Sequence, residues 1–134
     1  MAKQRWHILR DSHGVTLTRR LPVRFDLSSQ VVLPNARKLY LAQQIRQDLW
    51  RRLQNLRGFA PVVRIENHVG GVLVTAGGQI DGMVNRNRCE AEIQCLLTDE
   101  GLQARWLSQA KVVDPQAKNV VNGKVKFSSD DWLR

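Results

Sequence analysis

Between Asn35 and Arg57 apolar residues recur at intervals of three or four: Leu39, Ala42, Ile45, Leu49, Leu53 and Leu56. That spacing puts them on one side of a 3.6-residue period and predicts a long amphipathic helix, with Trp50 at the edge of the stripe. Pro34 suits a helix start, Asn35 can accept from first-turn amides, Gly58 suits the far end, and Pro61 stops continuation. The back of this helix carries Arg37, Tyr40, Gln44, Asp48, Arg51 and Arg52. Its simplest reading is a solvated face with Asp48 and Arg52 as an i,i+4 pair. Its sharper reading is a phosphate-contacting face.

Elsewhere the period is two. Val15, Leu17, Leu21, Val23, Phe25 and Leu27 alternate with Thr16, Thr18, Arg20, Pro22, Arg24 and Asp26, which predicts a strand over 15–27. Arg19 breaks the apolar side, and Pro22 removes a ladder donor, so a bulge or an edge is expected there. Val62–His68 and Val72–Ala76 read as two strands joined by a tight turn at Gly70-Gly71, the second ended by Gly77-Gly78. Residues 81–87 form a polar connection. A second helical region is expected from Arg88 to Ala110, interrupted near Thr98–Gly101, where Thr98 or Asp99 caps its second half. Asp114-Pro115 ends it. Lys118–Phe127 is the last extended stretch, either one strand distorted at Gly123 or a hairpin at Asn122-Gly123. At the amino end, residues 5–10 read as a short strand or arm, followed by a turn from Asp11 to Gly14.

With residues 1–14 set aside as an arm or extra strand and 128–134 as a tail, the order over 15–127 is strand, helix, strand, strand, helix, strand. This is the order of an α+β, ferredoxin-like βαββαβ two-layer sandwich, with both helices on one face of an antiparallel sheet. In that plan Val15, Leu21, Val23, Val63, Ile65, Val72, Val74, Val125 and Phe127 lie beneath the helices. Arg20, Arg24, Arg64, His68, Lys124 and Lys126 then share the uncovered face. The first and last strands are neighbours in this plan, so Arg20 and Arg24 are expected beside Lys124 and Lys126, with Glu66 as the main acid.

Charge sharpens this picture. The chain has 134 residues and a formal net charge of +9. Residues 1–57 hold 12 Lys/Arg against 3 Asp/Glu, whereas residues 58–134 hold 9 of each. The whole positive surplus therefore lies in the first part, and such a field attracts nucleic acid, acidic proteins or acidic lipid heads. No apolar run approaches the ~20 residues of a membrane span. The start, MAKQRWHILRDSH, has no apolar signal core, which points to the cytoplasm. Cys89 and Cys95 lie six apart in an expected helix, on different sides of it, and read as buried free thiols.

No catalytic motif emerges. His7, His13 and His68 lack metal-ligand spacing, the glycine pairs lack the GxxxxGK(S/T) pattern, and Asp81 has no paired carboxylate. Arg86 and Arg88 could activate Cys89 at a helix start, but a structural thiol is the simpler reading. The expectation is a non-catalytic protein without a cofactor. It contacts nucleic acid, RNA ahead of DNA, through Arg20, Arg24, Arg64, Lys124 and Lys126 on the sheet, with Arg37, Arg51 and Arg52 on the helix. Sheets of this topology serve RNA-recognition modules, an analogy of fold only. Val72–Ala76 lacks the stacking aromatics of such modules, which favours backbone or shape recognition. The alternative is a protein-interaction module or assembly subunit, possibly homodimeric, using Trp6, Trp132, Leu133 and open strand edges.

Overall fold

A computed structural model describes residues 6–111 of the chain. Its elements are β1 (His7–Arg10), β2 (Gly14–Thr18), β3 (Leu27–Leu33), α1 (Lys38–Leu53), β4 (Phe59–His68), β5 (Gly71–Ile80), α2 (Arg86–Leu97) and α3 (Glu100–Gln109). The class is α+β. Five strands pair in the order β1-β2-β4-β5-β3, and every neighbouring pair is antiparallel.

The turn signals act locally, as their chemistry dictates. Asp11 Oδ1 accepts from the amides of His13 (2.8 Å) and Gly14 (2.9 Å), closing the β1–β2 turn. The β4–β5 hairpin pairs His68 with Gly71 around a two-residue turn, where Gly70 takes φ 80° at no Cβ cost. Asp99 caps α3 by accepting from the Leu102 amide at 3.0 Å, so the second helical region divides where expected. At α1, Arg37 rather than Asn35 is the N-cap, without a side-chain bond. The helix ends at Leu53, with Gln54 rather than Gly58 as its cap.

Strand parity and the apolar stripe meet in one core. Leu17, Val63, Ile65, Val72, Val74 and Ala76 face Leu41, Ala42, Ile45, Leu49 and Leu53 of α1, with Ile93, Leu96, Leu97 and Trp106 from α2 and α3. Each fully buried Val, Leu or Ile contributes about 1.5–3 kcal/mol relative to exposure, so this layer is the main source of cohesion.

The expected strand over 15–27 is the principal correction. It is two strands, β2 and β3, on opposite sides of the β4–β5 hairpin. Residues 19–26 carry the chain between them, a gap of three strand spacings, or about 14 Å. Leu21 is therefore exposed and Val23 only half-buried, instead of lying beneath the helices. The register also explains why Gly77 stands in the interior of β5 rather than ending it. A Cβ there would run into the Leu27 carbonyl oxygen, so only glycine lets β3 approach. The resulting strand order differs from the ferredoxin-like one, and the expected last strand, Lys118–Phe127, lies outside the described residues. Cys89 and Cys95 are free thiols, but Cys95 is exposed and Cys89 only half-buried.

Candidate functional site

The face of the sheet turned away from the helices carries a polar row, in which Thr16 and Thr75 are buried. Thr16, Arg64, Thr75 and Gln30 stand side by side across β2, β4, β5 and β3. Arg64 donates to Thr16 Oγ1 at 2.7 Å, and Gln30 Nε2 donates to Thr75 Oγ1 at 3.0 Å. Arg64 also pairs with Asp11 at 3.1 Å and approaches Glu66 at 3.6 Å. Its hydrogen bond, followed by the His13 and Gly14 amides, holds the Asp11 carboxyl down to about 2. Arg64 is thus largely neutralised by its own neighbours at neutral pH.

The other expected cations are dispersed. Arg20 and Arg24 lie in the 19–26 crossing rather than on a strand. Arg20 pairs with Asp81 at 3.0 Å, and Arg24 makes a two-pronged contact with Asp26, both bonds 2.9 Å. Asp81 is lowered from the ordinary carboxylate range chiefly by Arg20, and Asp26 by the Ile80 amide and then Arg24, so both acids stay charged against their partners. Arg37 stacks on Tyr40, 3.9 Å from the ring centre. Arg52 pairs with Glu92 at 3.4 Å, not with Asp48. Lys124 and Lys126 lie outside the described residues. A shared cationic sheet face of Arg20, Arg24 and Arg64 is therefore not what the fold assembles. Parity assigns a side chain to a face of its own strand, but not the acids that distant segments bring to it.

Asp48 is also not on a solvated face. Its carboxylate is only 8% exposed and accepts from Trp106 Nε1 at 2.7 Å, Arg51 at 3.1 Å and the Arg105 guanidinium. This carboxylate joins α1 to α3. Beside it, an open recess is lined by Asp48, Arg51, Arg52, Leu96 and Leu102.

Among the described residues two guanidiniums share one aromatic ring and no acid. Arg19, just after β2, and Arg46, on α1, both lie over the indole of Trp6, their guanidinium carbons 5.6 Å and 4.8 Å from the ring centre. Arg46 also donates to Gln43 Oε1 at 3.2 Å. Among the described residues neither arginine forms an ion pair. Burial lowers the Arg46 guanidinium from its ordinary value, and the nearby Arg19 charge adds to this; burial and then Arg20 do the same to Arg19. Both remain cations at neutral pH, because guanidinium starts so far above it. Two partly desolvated like charges with no counter-charge make a locus whose energy falls when an anion arrives.

The chain matches no protein-family model, no curated protein and no solved structure. The reading of the site therefore rests on its own chemistry. Among the described residues no group of three or more His, Cys, Asp or Glu side chains could hold a metal ion, and no helix is long and apolar enough to cross a membrane.

Sequence reasoning did not single out Arg19 and Arg46 as anion contacts. A signal existed for each. Arg19 interrupts an otherwise apolar alternation, and Arg46 follows Ile45 at the margin of the α1 stripe, one turn before Trp50. Neither signal says that both residues meet Trp6.

Proposed function

We propose that this protein is a non-catalytic nucleic-acid-binding protein whose primary phosphate contacts are Arg19 and Arg46, oriented by Trp6. The observation that carries the reading is the uncompensated pair. Arg20, Arg24, Arg64, Arg51 and Arg52 each have a carboxylate partner and Arg37 lies singly on Tyr40, while Arg19 and Arg46 bring two charges to one aromatic ring with no acid among the described residues. A cation–π contact fixes a guanidinium without neutralising it, leaving its charge for a ligand. Phosphate is the anion that suits this charge, since guanidinium groups match its oxygens in geometry and polyanions release counterions on binding.

The test is anisotropy titration of labelled RNA and DNA at low and high salt. Wild-type protein is expected to bind at low salt and weaken as salt rises. Arg19→Gln with Arg46→Gln should reduce the slope of log affinity against log salt by about 1.5, the loss of two phosphate contacts. Arg20→Gln with Arg24→Gln, whose guanidiniums Asp81 and Asp26 already hold, should change affinity far less. Absence of binding at low salt refutes the reading, and equal effects of the two double variants remove the site.

A second reading, self-association, has an observation of its own. Among the described residues β3 is an edge strand without a charged residue, and Val32 is 49% exposed. Glu90 caps the outward amide of Ser28 at 3.0 Å. Ladder alternation turns the amides of Gln30 and Val32 to that same outer side. On this reading light scattering detects a dimer that Val32→Lys dissociates, because a two-fold pairing of edges sets like charges near each other. A strict monomer at high concentration excludes it.

A further inference from the structure

We infer that the nucleic acid bound at Arg19 and Arg46 is single-stranded, and that Trp50 stacks one of its bases. The inference rests on the nucleic-acid reading above and adds a strandedness that the arginine pair alone does not specify. Trp50 is 41% exposed on α1, while the helix buries its other large apolar residues, Leu39, Leu41, Ile45, Leu49 and Leu53, to 8% or less. It follows Arg46 by four residues, which sets the two side chains on one strip of the helix, about 6 Å apart along its axis.

The two tryptophans differ in what they can do. Trp6 already carries two guanidiniums, so its ring is occupied as the support that aims them. No cation lies over Trp50 among the described residues, and its exposed face is available to an incoming ring. An aromatic face one helical turn from a partly desolvated, uncompensated guanidinium pair can take a base and the adjoining phosphate together. A duplex keeps its bases stacked inside and can offer only phosphates to that strip. A single strand can splay a base outward and satisfy both features. Stacking aromatics, absent from Val72–Ala76 on the sheet, are therefore supplied by the helix.

The experiment compares a short oligouridylate with a short RNA duplex, binding to wild-type protein, Trp50→Leu and the Arg19→Gln/Arg46→Gln double variant. Circular dichroism verifies that each variant is folded, as expected for a half-exposed helix position. Trp50→Leu should weaken oligouridylate binding about tenfold, within the range for loss of one base–aromatic stack, and leave duplex binding within twofold. The double variant should weaken both ligands. If Trp50→Leu binds oligouridylate like wild type, or loses both ligands equally, the stacking inference falls while the nucleic-acid reading stands. If wild-type protein binds neither ligand at low salt, both fall together.

Discussion

Trp106→Ala is expected to destabilise the protein by about 3–5 kcal/mol, the range for emptying a fully buried aromatic site. Trp106 is 0% exposed and is the largest of the fully buried side chains. It is also the one residue of α3 that is fully buried within the helix itself; Leu102 and Leu107 are only partly covered. A helix of ten residues is not stable alone in water, so α3 depends on this anchor. Urea unfolding followed by far-ultraviolet circular dichroism should show a lower midpoint and a weaker starting helix signal. Trp106→Phe helps to separate the two components of the loss, since it keeps an aromatic ring in the site while removing the indole N–H and part of the bulk. A cost below about 1 kcal/mol for the alanine variant, less than any buried cavity of that size should give, contradicts the anchoring role.

The second large effect belongs to Asp48. Asp48→Ala should cost about 2–3 kcal/mol, and the partition of that loss is informative. The indole N–H of Trp106 would be left inside the core without an acceptor, which alone costs about 1–3 kcal/mol. The arginines matter less. Arg51 and Arg105 are 66% and 47% exposed, so water can take them back, and exposed ion pairs are worth about 0–1 kcal/mol each. Asp48→Asn keeps a carbonyl oxygen for the indole and should cost about 1 kcal/mol. A double-mutant cycle of Asp48→Ala with Trp106→Phe should be clearly less than additive, because either change removes the same bond. Additive losses show that the bond contributes little and that α3 is held by packing alone.

These two residues show where a one-dimensional reading stops. Asp48 and Arg52 are four apart on a helix, and an isolated helix would pair them. In the fold Arg52 turns to Glu92 and Asp48 to Trp106, because α2 and α3 offer partners that are better placed or better shielded. The arginines of the expected sheet face behave likewise. Asp11, Asp26 and Asp81 lie in turns and connections of the fold rather than in its strands or helices, yet they claim Arg64, Arg24 and Arg20. Ion pairing among long side chains depends on which surfaces meet, and sequence separation carries little information about that.

Periodicity, turn chemistry and charge counts belong to the chain itself. The α1 stripe, the Gly70 hairpin, the Asp99 cap, the inward side of β4 and β5 and the excess of cations before residue 58 follow from rules that act within a few residues. The tertiary structure alone decided that residues 15–27 divide around a hairpin, that Asp48 is buried, and that Trp6, Arg19 and Arg46 meet at one indole. Alternation orients a side chain about its own strand axis, whereas the identity of the neighbour is set by packing among segments far apart in the chain, where the burial of whole faces outweighs any local preference.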